Sequence, residues 1–279
     1  MINWYPGHMT KARRAMEEDL KLVDMILEIR DARVPRSSLN PDIAELGRNK
    51  RRILLLNKAD LADAALTAEW ISALSSESVT VLSADARSLA SVKAVRRQMD
   101  QASAEKAEKD KRRGIVSRPV RIMVVGIPNV GKSTLINSLA GRASAKTGDK
   151  PGVTRGNQWI RLGKTVELLD TPGILWPKFE DPAVGMHLAL IGSINDDILP
   201  VEELASDGIA LLAQRYPQAL AAKYGELPTQ PYEALVQIAE KNQLRKKGGD
   251  PDTEKAAARF LDDLRKGRLG ALTLEDPSV

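Results

Sequence analysis

The chain has 279 residues, two histidines, no cysteine and a formal net charge of +5. That length accommodates one large or two ordinary domains. The lack of cysteine excludes disulfides and thiolate zinc sites, and no apolar run approaches the roughly eighteen residues of a membrane span. The opening residues lack a signal-peptide core and turn acidic at Glu17, unlike a transit peptide. The expectation is a cytoplasmic protein whose mild positive charge admits a polyanionic partner.

In chain order, residues 3–14 combine Trp4, Tyr5, a Pro6-Gly7 turn and basic side chains. The two aromatics are candidates for stacking on bases or for packing on their own turn. Thr10 is placed to cap a helix running to about residue 22, and His8 taken alone reads as structural. A strand over 23–29 ends in the loop Asp31-Ala-Arg-Val-Pro35. A helix over 41–46 follows, then an apolar strand over 53–56 that runs straight into Asn57-Lys58-Ala59-Asp60. Next come a helix over 62–74, a strand over 79–82 ending in Ser83-Ala84-Asp85, and a helix over 89–104. Strands alternating with helices predict an α/β domain with a mostly parallel sheet and helices on both faces. Residues 105–118 are charged and poor in large apolar groups. They read as a solvated helix end and linker, with Lys111, Arg112 and Arg113 as an alternative phosphate contact.

The apolar strand 122–125 leads into Gly126-Ile-Pro-Asn-Val-Gly-Lys-Ser133, which fits G-x-x-x-x-G-K-[ST], and a helix follows over 134–139. Strand, glycine loop and helix start aim backbone N–H groups of Asn129, Val130, Gly131, Lys132, Ser133 and Thr134 at anionic oxygens. Lys132 neutralises the β- and γ-phosphates, and the Ser133 hydroxyl is a ligand for Mg²⁺. Residues 141–156 lack periodicity and read as a mobile loop. Segments 157–162 and 165–169 form a hairpin around Gly163-Lys164 and end at Asp170-Thr171-Pro172-Gly173.

From about residue 177 helical patterns follow one another with no strand between them. Ile209, Leu212 and Tyr216 share a face, as do Leu235, Ile238 and Ala239. Asp250 and Pro251 read as cap and first position of a helix carrying Phe260, Leu261 and Leu264, stopped at Gly267. Lys241, Arg245, Lys246, Lys247, Arg265, Lys266 and Arg268 make this end basic. The expected division is a nucleotide domain over 1–178 and a small helical domain over 179–279 with a nucleic-acid surface.

The glycine loop alone does not separate ATP from GTP; Asn57-Lys58-Ala59-Asp60 does. The Asp60 carboxylate can accept from guanine N1–H and from the 2-amino group, donors adenine cannot offer, and an unpaired carboxylate penalises the wrong base. Asn57 can hold the base through N7 and tie the neighbouring loop. The Lys58 stem can cover the ring, and a backbone N–H at Ser83 or Ala84 can meet O6. Asp170 is a second Mg²⁺ holder and the Gly173 N–H a γ-phosphate contact. Thr154, in Pro151-Gly-Val-Thr-Arg-Gly156, completes the Mg²⁺ shell only while the γ-phosphate is present, an order–disorder switch. The guanine motif precedes the phosphate loop, the reverse of the common order, as a circular permutation would produce. The segment after Gly173 then leads directly into the helical domain.

The permuted order, the opening Trp-Tyr-Pro-Gly-His-Met-x-Lys-Ala, and the run Leu168-Leu-Asp-Thr-Pro-Gly-Ile-Leu-Trp-Pro-Lys-Phe-Glu-Asp181 resemble the bacterial ribosome biogenesis GTPase A family of circularly permuted GTPases. The resemblance covers nearly the whole chain. It implies hydrolysis of GTP to GDP and phosphate during late assembly of the large ribosomal subunit. It also implies binding of ribosomal RNA or a precursor particle in the GTP state and release after hydrolysis. No membrane or DNA partner is expected, and the protein is expected to be a monomer off the ribosome. Ile174 stands where a water-orienting Gln often sits and cannot hydrogen-bond water. The resemblance offers His8 for that task, as a catalytic group beside Lys132, Thr154 and Gly173. Asn129 resembles the residue that places K⁺ near the phosphates in some GTPases, or it only shapes the loop. The rival function is a non-catalytic GTP-sensing RNA scaffold. A small-subunit permuted GTPase would need a barrel before residue 23 and a zinc site, and Asp60 argues against an ATPase. Trp176, Lys178 and Phe179 are either a partner contact or a packing hinge.

Overall fold

A computed structural model describes residues 9–115, 118–141, 157–173, 175, 176 and 179–277. The expectations at Trp4, Tyr5, His8, Thr154, Ile174 and Lys178 lie outside the described residues.

Six strands form one sheet: β1 Met25–Asp31, β2 Arg51–Asn57, β3 Val79–Ala84, β4 Val120–Gly126, β5 Gln158–Leu162 and β6 Val166–Asp170. Their order is β3-β2-β1-β4-β6-β5, parallel throughout except for the β5–β6 hairpin. β1 is buried along its whole length, and β2 and β4 carry the apolar runs 53–56 and 122–125, because parallel strands are covered on both faces. Leu27, Ile53 and Val124 face one cluster, while Ile26, Leu54 and Leu56 face the other side. Helices α1 Met9–Leu22, α2 Pro41–Leu46 and α3 Ala64–Leu74 supply Met16, Leu20, Ile43 and Trp70 to that second side. Helices α4 Leu89–Arg112 and α5 Lys132–Ala140 supply Val95, Met99, Leu135 and Ile136 to the first.

The chain continues as α6 Pro182–Leu190, α7 Val201–Arg215, α8 Pro217–Tyr224, α9 Pro231–Lys241 and α10 Thr253–Arg265. The apolar cluster under α4 and α5 runs without a break into Leu188, Ile209, Leu212, Leu235, Ile238, Phe260 and Leu264 of these helices. The change of texture near residue 178 is therefore not a break in the core. Trp176 and Phe179 pack edge to face at 5.2 Å and sit against the same cluster. Among the described residues no helix is long and apolar enough to cross a membrane.

Three expectations are corrected. The stretch from 105, read as a solvated helix end and linker, is helical as far as Arg112, so the helix runs well past 104. Its charges are intrahelical partners: Lys106 with Asp110, and Arg112 Nε to Glu108 at 3.4 Å, each four residues apart, while Arg51 pairs with Glu105. Asp250 and Pro251 do not start α10. Pro251 bridges Arg245, and the Asp252 carboxylate caps the helix by accepting Lys255 N–H at 3.1 Å. Thr10 lies inside α1, which begins at Met9.

Candidate functional site

The phosphate loop joins β4 to α5. Asn129 adopts φ +58° and Gly131 φ +96°, left-handed backbone that turns consecutive N–H groups to one side. A Cβ at Gly131 would stand 2.3 Å from Asn57 Nδ2, so only glycine lets the two loops meet. Lys132, at the first position of α5 and 7% exposed, donates from Nζ to Gly126 O at 2.9 Å and Ile127 O at 2.8 Å. Burial lowers its pKa to about 8, against an opposing pull from Asp170. A Cβ at Gly173 would stand 2.8 Å from Lys132 Nζ and 2.9 Å from Pro128 Cα, so Gly173 closes directly on the loop.

Asp170 ends β6, paired with Val124. Burial raises its carboxyl pKa and Lys132 opposes the rise. Its Oδ1 is buried with no hydrogen-bond partner among the described residues. A buried carboxylate oxygen left without a donor among the described residues, beside the charge of Lys132, fits a hard divalent cation with its water shell. Ser133 is half-buried in the first turn of α5.

Asn57 joins the 57–60 motif to the glycine loop. Its Nδ2 donates to Val130 O at 2.7 Å, 73 residues away, and its Oδ1 accepts Ala86 N–H at 3.0 Å. The amide is thus a strut between the phosphate loop and the Ser83-Ala84 loop. One Nδ2 hydrogen is left beyond these two bonds for a base nitrogen. Ala84 lies beside Asn57 in register, and Ser83 beside Leu56. Lys58 has φ +59°, a left-handed conformation that costs a non-glycine residue about 1 kcal/mol. Asp60 sits in a short 3-10 turn over Ala59–Leu61, and its Oδ2 accepts Arg87 Nη2 at 2.7 Å. Arg87 also bonds Asp85 at 3.2 Å.

Two sets of contacts were not read from the sequence. Lys58 Nζ lies 3.1 Å from Asp31 Oδ2, and Arg33 grips the same carboxylate through Nε at 2.9 Å and Nη2 at 2.8 Å. Burial alone would raise the Asp31 pKa, but Arg33 and Lys58 hold it well below the usual carboxylate range. Burial lowers the Lys58 pKa, with Asp31 opposing. The signal available was a charged Asp31-Ala-Arg33 at the end of an apolar strand. Second, the turn after α6 buttresses the phosphate loop. Asn129 Nδ2 donates to Gly192 O at 2.7 Å, and Ser193 Oγ donates to Pro128 O at 3.0 Å. Asn129 therefore ties the loop to the helical region, a structural task beside the cation role expected of it. Nothing in the local sequence of 192–193 announces this contact.

Residues 121–234 match the model of a family described as 50S ribosome-binding GTPase. The chain is 44% identical to Ribosome biogenesis GTPase A of Priestia megaterium, over 99% of this chain and 97% of that protein. It is 33% identical to Ribosome biogenesis GTPase A of Thermotoga maritima, over 99% of this chain and 95% of the relative. Among solved structures, GNP-bound YlqF from T. maritima aligns with a TM-score of 0.69 at 28% identity, covering 96% of this chain and 98% of that one. A GDP-bound form of the same YlqF aligns at 0.71 and 26% identity, covering 95% and 100%. With a glycine loop, a lysine at its end and a guanine-type motif strutted together by Asn57, and relatives matching from end to end, the chain belongs to the ribosome biogenesis GTPase A family.

Proposed function

We propose that this GTPase hydrolyses GTP to GDP and phosphate during late assembly of the large ribosomal subunit, holding precursor particles in the GTP state and leaving after hydrolysis. The observation that carries the nucleotide reading is the Asn57 strut, which brings two motifs separated in sequence to one pocket. Asp60 reads guanine N1–H and the 2-amino group once the Arg87 guanidinium yields, and the Lys58 stem covers the ring. Backbone N–H groups from Asn129 to Thr134 take the phosphates, Lys132 gives its charge to the β- and γ-phosphates, and the Gly173 N–H meets the γ-phosphate. Ser133, Asp170 and Thr154 are the residues that would hold Mg²⁺; the orphaned Asp170 oxygen supports this donor set. When bound, that ion neutralises phosphate oxygens. His8 orients the attacking water, and Asn129 is the candidate K⁺ contact. A requirement for K⁺ is read by comparing turnover in K⁺ and Na⁺ at equal ionic strength.

The sheet order, with β4 between β1 and β6, and the family match beginning at residue 121, after the guanine motif, support a circularly permuted domain over 1–178. Residues 179–279 serve as the ribosomal RNA contact, and the protein works in the cytoplasm as a monomer off the particle. The relatives' printed names support the ribosomal assignment. The test is sedimentation with ribosomal particles at fixed salt in GDP, GTP and a non-hydrolysable analogue, since phosphate contacts are salt-sensitive. Association with the large subunit or its precursor only in the triphosphate state is expected. Equal association in all three states would overturn the switch.

A further inference from the structure

The stretch after α10 is buried rather than solvated. Residues 269–275 leave α10 and run back across the nucleotide domain, with Leu272, Thr273, Leu274 and Glu275 all buried. Successive residues reach two different loops. Leu272 N–H donates to Leu61 O at 2.9 Å, and Thr273 Oγ1 accepts Asp63 N–H at 3.1 Å. These contacts flank Asp60 on its C-terminal side, from residues 210 positions later in the chain. Leu274 N–H then donates to Arg33 O at 2.8 Å, and Glu275 accepts Arg36 N–H at 2.8 Å and Ser37 N–H at 3.0 Å. Arg33 in turn donates from Nη1 to Arg265 O at 3.2 Å and holds Asp31, which holds Lys58.

The helical region grips the same stretch from behind. Tyr216 Oη accepts Thr273 N–H at 3.1 Å and donates to Thr273 O at 3.0 Å, and Arg215 pairs with Asp276. Trp70 Nε1 donates to Glu275 O at 3.3 Å, and His187 Nδ1 lies 3.0 Å from the Glu275 carboxylate. Lys58 is held in left-handed backbone, and such a conformation persists only where its surroundings over-determine it. Lys58 itself meets Asp31 and Leu61, and the end of the chain holds their neighbours Arg33 and Asp63 as well as Leu61.

We infer that the C-terminal strap, through Thr273 and Glu275, is a positioning element for guanine recognition: it sets the loop that carries Lys58 and Asp60 without touching the nucleotide. This rests on the reading of Asp60 as the guanine contact. The helical region therefore braces the base loop from outside the pocket.

Thr273→Val removes the Oγ1 acceptor while nearly keeping the shape, and Thr273→Ser restores it. The readout is GDP affinity, its ratio to affinity for inosine diphosphate, which lacks the 2-amino group, and KM against kcat for GTP. Loss of one such hydrogen bond predicts GDP binding weaker by about three- to tenfold in Thr273→Val. The preference for GDP over inosine diphosphate falls by a similar factor, KM rises, and kcat at saturation is kept. Thr273→Ser restores the wild-type ratio, and Glu275→Gln, the second variant, moves it in the direction of Thr273→Val. The strap proposal is overturned if both Thr273→Val and Glu275→Gln keep the wild-type ratio, including the case where they weaken both nucleotides equally. Failure of the underlying reading looks different: wild type and Asp60→Asn would then treat GDP and inosine diphosphate alike.

Discussion

The loop 126–133 and the loop 57–63 meet at Asn57, yet they are built on different foundations. The phosphate side is made from one contiguous segment of glycine-rich backbone, a buried lysine and two residues at the end of the neighbouring strand. Its charges lack full compensation among the described residues: a lysine ammonium carrying a desolvation cost and a carboxylate oxygen with no donor there. The base side is a closed structural network. Lys58, Asp31 and Arg33 satisfy one another, and the chain's last residues hold the loop in place. A site that expects its ligand to supply the missing charge gives up stability to gain binding; a site braced from within does the opposite.

That contrast breaks first if Lys132→Ala fails to separate binding from stability. Removing the ammonium should weaken GDP binding by on the order of a hundredfold, since charge-assisted phosphate contacts are the strong ones. It should leave Tm unchanged or raised, because a desolvated charge has gone. Fluorescence titration and thermal melts on one preparation check both. Asp31→Asn should show the reverse pattern. It leaves Arg33 and Lys58 without their counter-charge in a buried position, which costs about 3–5 kcal/mol of unfolding free energy. Urea denaturation measures that loss; a change below about 1 kcal/mol would mean the network is incidental.

The smallest effect sharpens the comparison. With its pKa lowered to about 8, Lys132 is charged at pH 7 and largely neutral at pH 9. In the folded protein without nucleotide, stability should rise with pH between about 8 and 10.5, where only the unfolded chain keeps the proton. Bound phosphate restores the ammonium, so GDP binding near pH 8.5 should take up about 0.5–1 proton, and close to none at pH 7. Calorimetry in two buffers of different ionisation enthalpy reads this number directly, and Lys132→Ala should abolish it.

How much of this was readable beforehand follows from the same difference. Gly126–Ser133 and Asp170–Gly173 were legible because each is a short contiguous pattern at the end of an apolar strand. Asn57 and Asp60 were legible for the same reason, and the helix over 41–46 was read to the residue. How far α4 runs past 104 was not legible, because charged partners four residues apart look alike in a helix end and in a solvated linker. Thr273 and Glu275 left no pattern, and Arg33 left little. Their contacts join residues more than 200 positions apart and lie in extended chain without periodicity. Arg33 alone had a hint, as a charge beside Asp31 where a buried strand ends.

The most direct measurement is calorimetric titration of the wild type and Asp60→Asn with GDP and with xanthosine diphosphate, in which a carbonyl replaces the 2-amino group of guanine. The wild type should bind GDP far more tightly, and Asp60→Asn should reverse the order, because its amide can donate to that carbonyl. An Asp60→Asn protein that keeps the wild-type preference for GDP would show that the two motifs do not form one guanine pocket.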